Sequence, residues 1–558
     1  MAAIVNQQLR KTLDYRRQAM NQEFDYWQGH FRELRDAIQP TRGRFEASER
    51  RSDSSINKRI LDNTAQMALR TLRAGLMSGV TSPSRPWFRL GLRGSTADEA
   101  EFEVKDWLHE VQRRMYEVMR GSNIYRMLDT TYGDLGLYGT AANLVVPDFE
   151  DVVRGHNLQV GRFRLGEDGN GRVIALYREL KMPVRGIVET WGLDAVSQSV
   201  RRAWDTGEYY QTFTICHMID KRADGDPKAM QSSGRPWASI YWEMDAPSGQ
   251  FLQIGGHRVK PLLAPRWEQV EGEAWSASSP GMVALGDARS LQVSQEQKAI
   301  AIQKMHNPPL IGGAVQGGMF FKNVPGGFTA MATQDLSTGG IRPAYEVRPD
   351  IQGLIIDIQE SQRRVEVAFY KDLFQMTALA LDGRSQITAR EIAERHEEKL
   401  MALGPVLESL DHELLQPLIE ATFAYMQEAD ILPEAPEGIV GNPIKVEYIS
   451  LLAQAQKAIG IGAIERTIGF AGTLAQIKPD VIDMIDGEQM MREFADQVGG
   501  PPGILLSPDE LREVREAKAR AAAQAQAIEA AEPMAGAAKL ISEATLNGMD
   551  ALQRGAAL

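Results

Sequence analysis

Residue types able to do chemistry are present in this chain, but they are not grouped in the patterns that chemistry needs. There is no G-x-x-x-x-G-K-[ST] loop to cradle phosphates, no H-E-x-x-H pair to hold zinc, and no G-x-S-x-G turn to expose a nucleophile. Cys216 is the only cysteine, so cysteine-based zinc sites and intramolecular disulfides are both excluded, which suits assembly in a reducing cytoplasm. It lies in FTICHMID, where nothing nearby pairs it with a credible base, and reads as a small core residue. His396 falls on a charged helical stretch, and His306 just before Pro308-Pro309, where it suits a helix C-terminus. Glu397-Glu398 reads as the wet face of a helix. The glycines of GEDGNGR (Gly166 to Arg172) lack the Lys-Ser/Thr of a phosphate loop and read as the turn of a strand hairpin. No catalytic residue, metal or cofactor is expected.

The segment QMTALALDGRSQ (Gln375 to Gln386) is different in kind. Two strong helical patterns flank it, and it carries Met376, Leu379, Leu381 and the cation Arg384. It reads either as a helix connection with its apolar residues tucked inward or as a projecting loop that touches a passing polymer. Cations steer and contact phosphates, whereas apolar residues offer no sequence readout.

The elements that position this segment form a helix, insert, helix, loop, helix run from about Ala288 to Asp430. Asp287 to Asn307 is a helix stopped by Pro308-Pro309. The glycine-rich stretch after it reads as a small module of strands and turns, with little room for a core. Asp350 to Phe374 is a second helix, with Ile351, Leu354, Ile355, Ile358, Val365, Ala368 and Phe369 on one stripe, spanning roughly 35–40 Å. Thr388 and Glu391 make a capping box for a third helix, which Gly404-Pro405 should kink.

Upstream, helices are expected over about Gln7 to Ala37 (apolar positions including Tyr15, Trp27, Phe31 and Leu34), Ile56 to Val80, Ala97 to Met119 and Ile124 to Leu137. Between Gly139 and Pro265 the period shifts towards two, with one helix near Asp194 to Asp205. Downstream, Val446 to Gly499 reads as a compact helical domain. An Ala-rich charged helix comes after Pro501, read as a solvated tail or as an extension that associates between copies. The fold class is α+β, mainly helical.

At 558 residues the chain is too long for one simple core. A net charge of −12 argues against a general nucleic-acid coat, though not against a surface that DNA slides past. The N-terminal segment has no apolar core of a signal peptide, and no stretch has the ~18 apolar residues of a membrane span.

Several collinear segments resemble one family. TSPSRPWFRL (Thr81 to Leu90), LYGTAA (Leu137 to Ala142), SPGMVALGDARSL (Ser279 to Leu291), NPPL (Asn307 to Leu310) and ITAREIAERHEEKLMALGPVLESLDHELLQPLI (Ile387 to Ile419) are similar to the portal, or head-to-tail connector, proteins of short-tailed bacteriophages. The resemblance implies a ring, usually of twelve copies, at one capsid vertex, with a channel for double-stranded DNA read without sequence specificity. It implies a wing over 1–286, a stem helix over 287–307, a clip over 308–349, a second stem helix over 350–374 and a tunnel loop over 375–387. A long wing helix over 388–436, a crown over 437–500 and a tail over 501–558, able to form a barrel, complete it. On that template Met376, Leu379, Leu381, Arg384 and Lys371 face DNA. Met319, Phe320, Phe321, Lys322 and Phe328 lie in the clip, which docks the terminase large subunit and later the tail adaptor. Major capsid and scaffolding proteins are further implied partners. Location is the virion vertex, reached from the host cytoplasm during assembly, with no membrane. A hydrolase in the β-rich lobe and a soluble pore-forming oligomer are the rival readings.

Overall fold

The computed structural model describes residues 2–45, 60–92, 102–306, 310–311, 342–343, 351–374, 403–436, 444–449, 487, 491 and 511–521. The chain divides into two units, one of Met1–Arg93 with Glu101–Gly462, the other of Gly94–Ala100 with Ala463–Leu558. In the second, residues 511–521 are helical and almost wholly exposed, as their Ala-rich charged composition leads one to expect.

Helix α1 (Ala2–Ile38) opens the first unit. Leu13 and Met20 pack on one face of a sheet against Ala175, Tyr177, Cys216, Met218, Ala238, Ile240 and Trp242. Phe24 and Phe31 continue the stripe into an aromatic core, 5.1 and 5.4 Å from the Trp275 ring. Tyr15 is 73% exposed, because two residues beyond Leu13 lie on nearly the opposite side of a helix.

Helix α2 (Thr64–Val80) begins later than its apolar spacing suggests. Asp62 accepts the Thr64 N–H through its own side chain at 2.9 Å, so Ile60 and Leu61 remain outside the helix. Strand β1 (Phe88–Leu92) and helices α3 (Phe102–Gly121) and α4 (Ile124–Tyr138) come next. Gly139 at φ +72° ends α4, donating its N–H to Leu135 O.

The β-rich region holds β2 (Ala142–Asp148), β3 (Val152–Leu158), β4 (Phe163–Glu167), β5 (Val173–Pro183), β6 (Thr212–Lys221), β7 (Trp237–Glu243), β8 (Gln253–His257) and β9 (Leu262–Leu263). Strands β4 to β8 form an antiparallel meander in chain order, and β3-β2-β9 a second sheet. The GEDGNGR hairpin is where expected: Asp168 accepts the backbone N–H groups of Asn170 and Arg172, and Gly171 takes φ +72°. Two helices, α5 (Val184–Trp191) and α6 (Gln198–Asp205), stand between β5 and β6 where the sequence indicated one. An eight-residue helix such as α5 offers too few turns for its period to show, and burial of Val184 and Ile187 holds it.

Farther on, residues 403–410 are helical, Asp411–Leu415 make a π-helical turn, and Gln416–Glu428 is α-helical. Pro405 falls at the edge of the described residues; the irregularity that the structure displays is the π turn. The region read as helical from Val446 opens instead with β12 (Ile444–Tyr448), which pairs antiparallel with β1. The alternation KVEY was legible there, but its partner lies more than 350 residues upstream.

The π turn aims two carboxyl groups inward. Glu413 grips the buried Arg266, accepting from its backbone N–H at 2.9 Å and from its guanidinium at 3.1 and 2.5 Å. Asp411 meets no such cation among the described residues. Burial, with Glu408 beside it, pushes its carboxyl from 3.8 up to about 7. The folded chain therefore holds this proton more tightly than the unfolded chain. The contribution of this group to stability falls as pH rises from 3.8 to about 7 and is level above that. Asp411→Asn is expected to flatten that slope and to raise stability at pH 8 by about 2–4 kcal/mol, read by urea unfolding at pH 5 and 8.

Candidate functional site: a helical hairpin and its two interruptions

Helix α7 spans Pro280–His306, seven residues longer at its start than the sequence reading. Pro280 supplies a preset φ at the first helical position. Ser279 donates to Leu137 O at 3.1 Å and accepts the Met282 N–H at 3.0 Å, which caps the helix. Gly281 lets this end lie on α4, since a Cβ there would collide with Leu137 O. His306 is the last helical residue, beside Lys304 in the final turn, as favours the negative helix end.

Helix α8 (Ile351–Ala368) packs back along α7. Arg364 reaches Asp287 at 2.9 Å near one end of the pair. At the other, β10 (Leu310–Ile311) and β11 (Arg342–Pro343) pair antiparallel and close the neck of the glycine-rich insert. Ile358, Val365 and Phe369 are buried on the expected stripe, whereas Ile355 is 38% exposed. The expected single helix to Phe374 is interrupted: Tyr370 takes φ +54°, and residues 371–374 form a separate turn.

A clasp holds the hairpin to the segment before α2. Gln292 accepts the N–H groups of Leu61 and Asp62 through Oε1 at 2.7 and 3.0 Å and donates to Asp62 O at 2.8 Å. Gln295 and Gln362, one from each helix, donate to Asp62 Oδ2 at 3.0 and 2.8 Å. Burial acts to raise the Asp62 carboxyl, but hydrogen bonds from Thr64, Gln362 and Gln295 outweigh it and hold it below the usual carboxylate value.

Of the residues singled out in the sequence, Lys371 is described: its half-buried ammonium pairs with Glu366 across the break in the helix. Met376, Leu379, Leu381 and Arg384 lie outside the described residues, as do Met319, Phe320, Phe321, Lys322 and Phe328. Cys216 is buried, with its thiol 3.3 Å from the Tyr177 hydroxyl and pushed up to about 11 chiefly by burial. Among the described residues no group of His, Cys, Asp and Glu could hold a metal ion, and no helix is long and apolar enough to cross a membrane. The Asp62 clasp was not found from the sequence. Glutamines that bond across three elements leave no periodic trace.

The family described as bacteriophage head to tail connecting protein matches residues 10–505. The chain belongs to that family. The probable portal protein of Bordetella phage BPP-1 is 41% identical over 510 residues, 91% of each chain. The portal protein of Salmonella phage epsilon15 is 38% identical over 531 residues, 94% of each chain. Among solved structures, a chain from the virion of a native gene transfer agent (GTA) particle overlays with TM-score 0.33 at 13% identity, covering 84% of this chain and 99% of that one. A chain from the neck of an empty GTA particle gives TM-score 0.32 at 12% identity, covering 83% and 96%.

For a connector, the clasp fixes where the hairpin leaves the body of the subunit. Asp62→Ala removes a charged acceptor from three donors and is expected to cost about 2–3 kcal/mol in urea unfolding at pH 7. Because the folded Asp62 carboxyl is held low, its contribution is present above the ordinary value of 3.8 and is lost as pH falls through the folded value. The difference between parent and variant should therefore shrink below that pH.

Proposed function

We propose that this chain is the portal subunit of a tailed phage: a structural component of the capsid vertex, assembled as a ring around a channel through which double-stranded DNA enters and leaves. The observation that carries the reading is the match to two portal proteins over more than nine-tenths of the chain. The structural role at the vertex follows from the family. The twelve-fold ring, the channel and the assignments within the subunit are our reading.

The geometry supports it in two ways. Along the outer part of the hairpin, Ile300, Ile302, Met305 and Ile356 are 42–62% exposed. Apolar side chains so placed on two packed helices suit burial by neighbouring copies, as in a heterologous contact that closes by rotation. The β10–β11 neck lies at the far end of the hairpin from the Asp62 clasp, which supports reading the insert between these strands as a docking clip.

On this reading the wing takes 1–286 and 388–436, the stem 287–307 and 350–374, the clip 308–349, the tunnel loop 375–387, the crown 437–500 and the tail 501–558. Strand β12 ties the start of the crown segment to β1. Met376, Leu379, Leu381, Arg384 and Lys371 would contact DNA through phosphates and sugars, without base readout. Met319, Phe320, Phe321, Lys322 and Phe328 would dock the terminase large subunit during packaging and the tail adaptor afterwards. Major capsid and scaffolding proteins would be further partners, with assembly in the host cytoplasm. The chain would do no catalysis itself, leaving ATP hydrolysis to the motor.

Electron microscopy of the purified protein tests the core of this reading. A closed ring with a channel of about duplex width is expected; a compact monomer or dimer would overturn it. A narrower test concerns the loop: deletion within Ala378 to Arg384 is expected to leave rings intact while lowering the fraction of particles that fill with and hold DNA.

A further inference from the structure

The link between α8 and Gln375 is built unlike either neighbour. The helix closes with the Phe369 N–H on Val365 O at 3.2 Å and the Tyr370 N–H on Val367 O at 3.0 Å. Tyr370 then takes φ +54°, a left-handed conformation that an aromatic residue keeps only where its surroundings over-determine it. Those surroundings are the Trp267 ring, 6.3 Å away, and the Lys371 ammonium reaching back to Glu366. A new turn starts as the Phe374 N–H bonds Tyr370 O at 3.2 Å.

Beyond this reversal the chain is held by a different element. Leu373 and Phe374 are 0% and 1% exposed. The Phe374 ring lies on the backbone of α2 at Gly75, where a Cβ would overlap the ring. Gly75 is mid-helix, where alanine is the better helix former, so its value lies in the space that it leaves. Helix α2 is itself seated on α4, where the Leu72 side chain lies 2.6 Å from the place a Cβ on Gly136 would take. The floor of the socket is thus part of the core.

We infer that the Phe374–Gly75 contact is a positioning site that roots the segment beginning at Gln375 on α2. The break at Tyr370 turns the chain off the axis of α8, so the place where the segment starts is set by α2 and not by a continuation of that helix. Its consequence for packaging rests on the reading of 375–387 as the DNA-facing loop; the socket itself does not.

The test uses full-length protein with the Cys216→Ser and Gln375→Cys changes and a spin label at 375. Phe374→Ala and Gly75→Ala are compared with Val365→Ala, which removes a fully buried side chain of α8 ahead of the break. Label mobility is expected to rise severalfold in the first two and to stay at the parent level in the third. Unchanged mobility in Phe374→Ala overturns the proposal, as does an equal rise in Val365→Ala. If Gly75→Ala does not fold, Phe374→Ala still decides, since a smaller side chain brings no clash. DNA retention in particles carrying each variant separates the two layers. A mobile label with normal retention sustains the socket and overturns the DNA-facing reading of the loop.

Discussion

The first unit turns on one buried cation. Arg266 is 1% exposed and reaches four separate parts of the chain. Its guanidinium bonds Glu413 in the π turn, Gly171 O in the β4–β5 turn at 2.6 Å and Glu273 O in the loop before α7 at 3.0 Å. Its carbonyl accepts from the Ser409 hydroxyl at 2.7 Å, and its backbone bridges to Thr140 beside β2. Removing one partner of such a buried pair leaves an uncompensated charge, at a cost of about 3–5 kcal/mol. The helix run over 403–428 is therefore pinned to the sheets through a geometry that tolerates little slack.

That requirement accounts for the π turn. An extra residue in one helical turn shifts the phase of everything after it, and such turns recur at sites with special demands. Here Leu410, Leu414, Leu415 and Leu418 are all buried while Glu413 still faces Arg266. A regular helix would have to give up either part of the apolar contact or the ion pair. Asp411 is drawn inside by the same geometry, and burial, with Glu408 beside it, raises its pKa.

A body held this firmly can carry a hairpin whose outer part leaves apolar side chains exposed among the described residues. The Asp62 clasp and the Arg364–Asp287 pair fix the inner part of α7 and α8, and the apolar residues toward the insert stay exposed. The interruptions at each end are unlike in kind: one is an insert between β10 and β11, the other a reversed residue with an anchored turn after it. Each lets the adjoining segment be positioned separately from the helices.

Much of this was legible in the residues. The 3.6-residue spacing of Leu72, Leu76 and their neighbours, the period-two runs from β2 to β8, and the GEDGNGR turn each act through local contacts that sequence displays directly. The collinear segments from Thr81 to Ile419 carried the family. The start of α7 at Pro280, the break at Tyr370, the π turn and the pairing of β12 with β1 were not legible. Each is decided by a partner distant in the chain: Leu137 for α7, α2 and Trp267 for the break, Arg266 for the π turn, Phe88–Leu92 for β12. The sequence by itself determined the class of fold, the family and the order of the helices, because these depend on local periodicity and on residue identity. Only the tertiary structure decided where those helices begin, break and anchor, because a helix end is set by whichever buried neighbour satisfies its orphan groups or fills its open face.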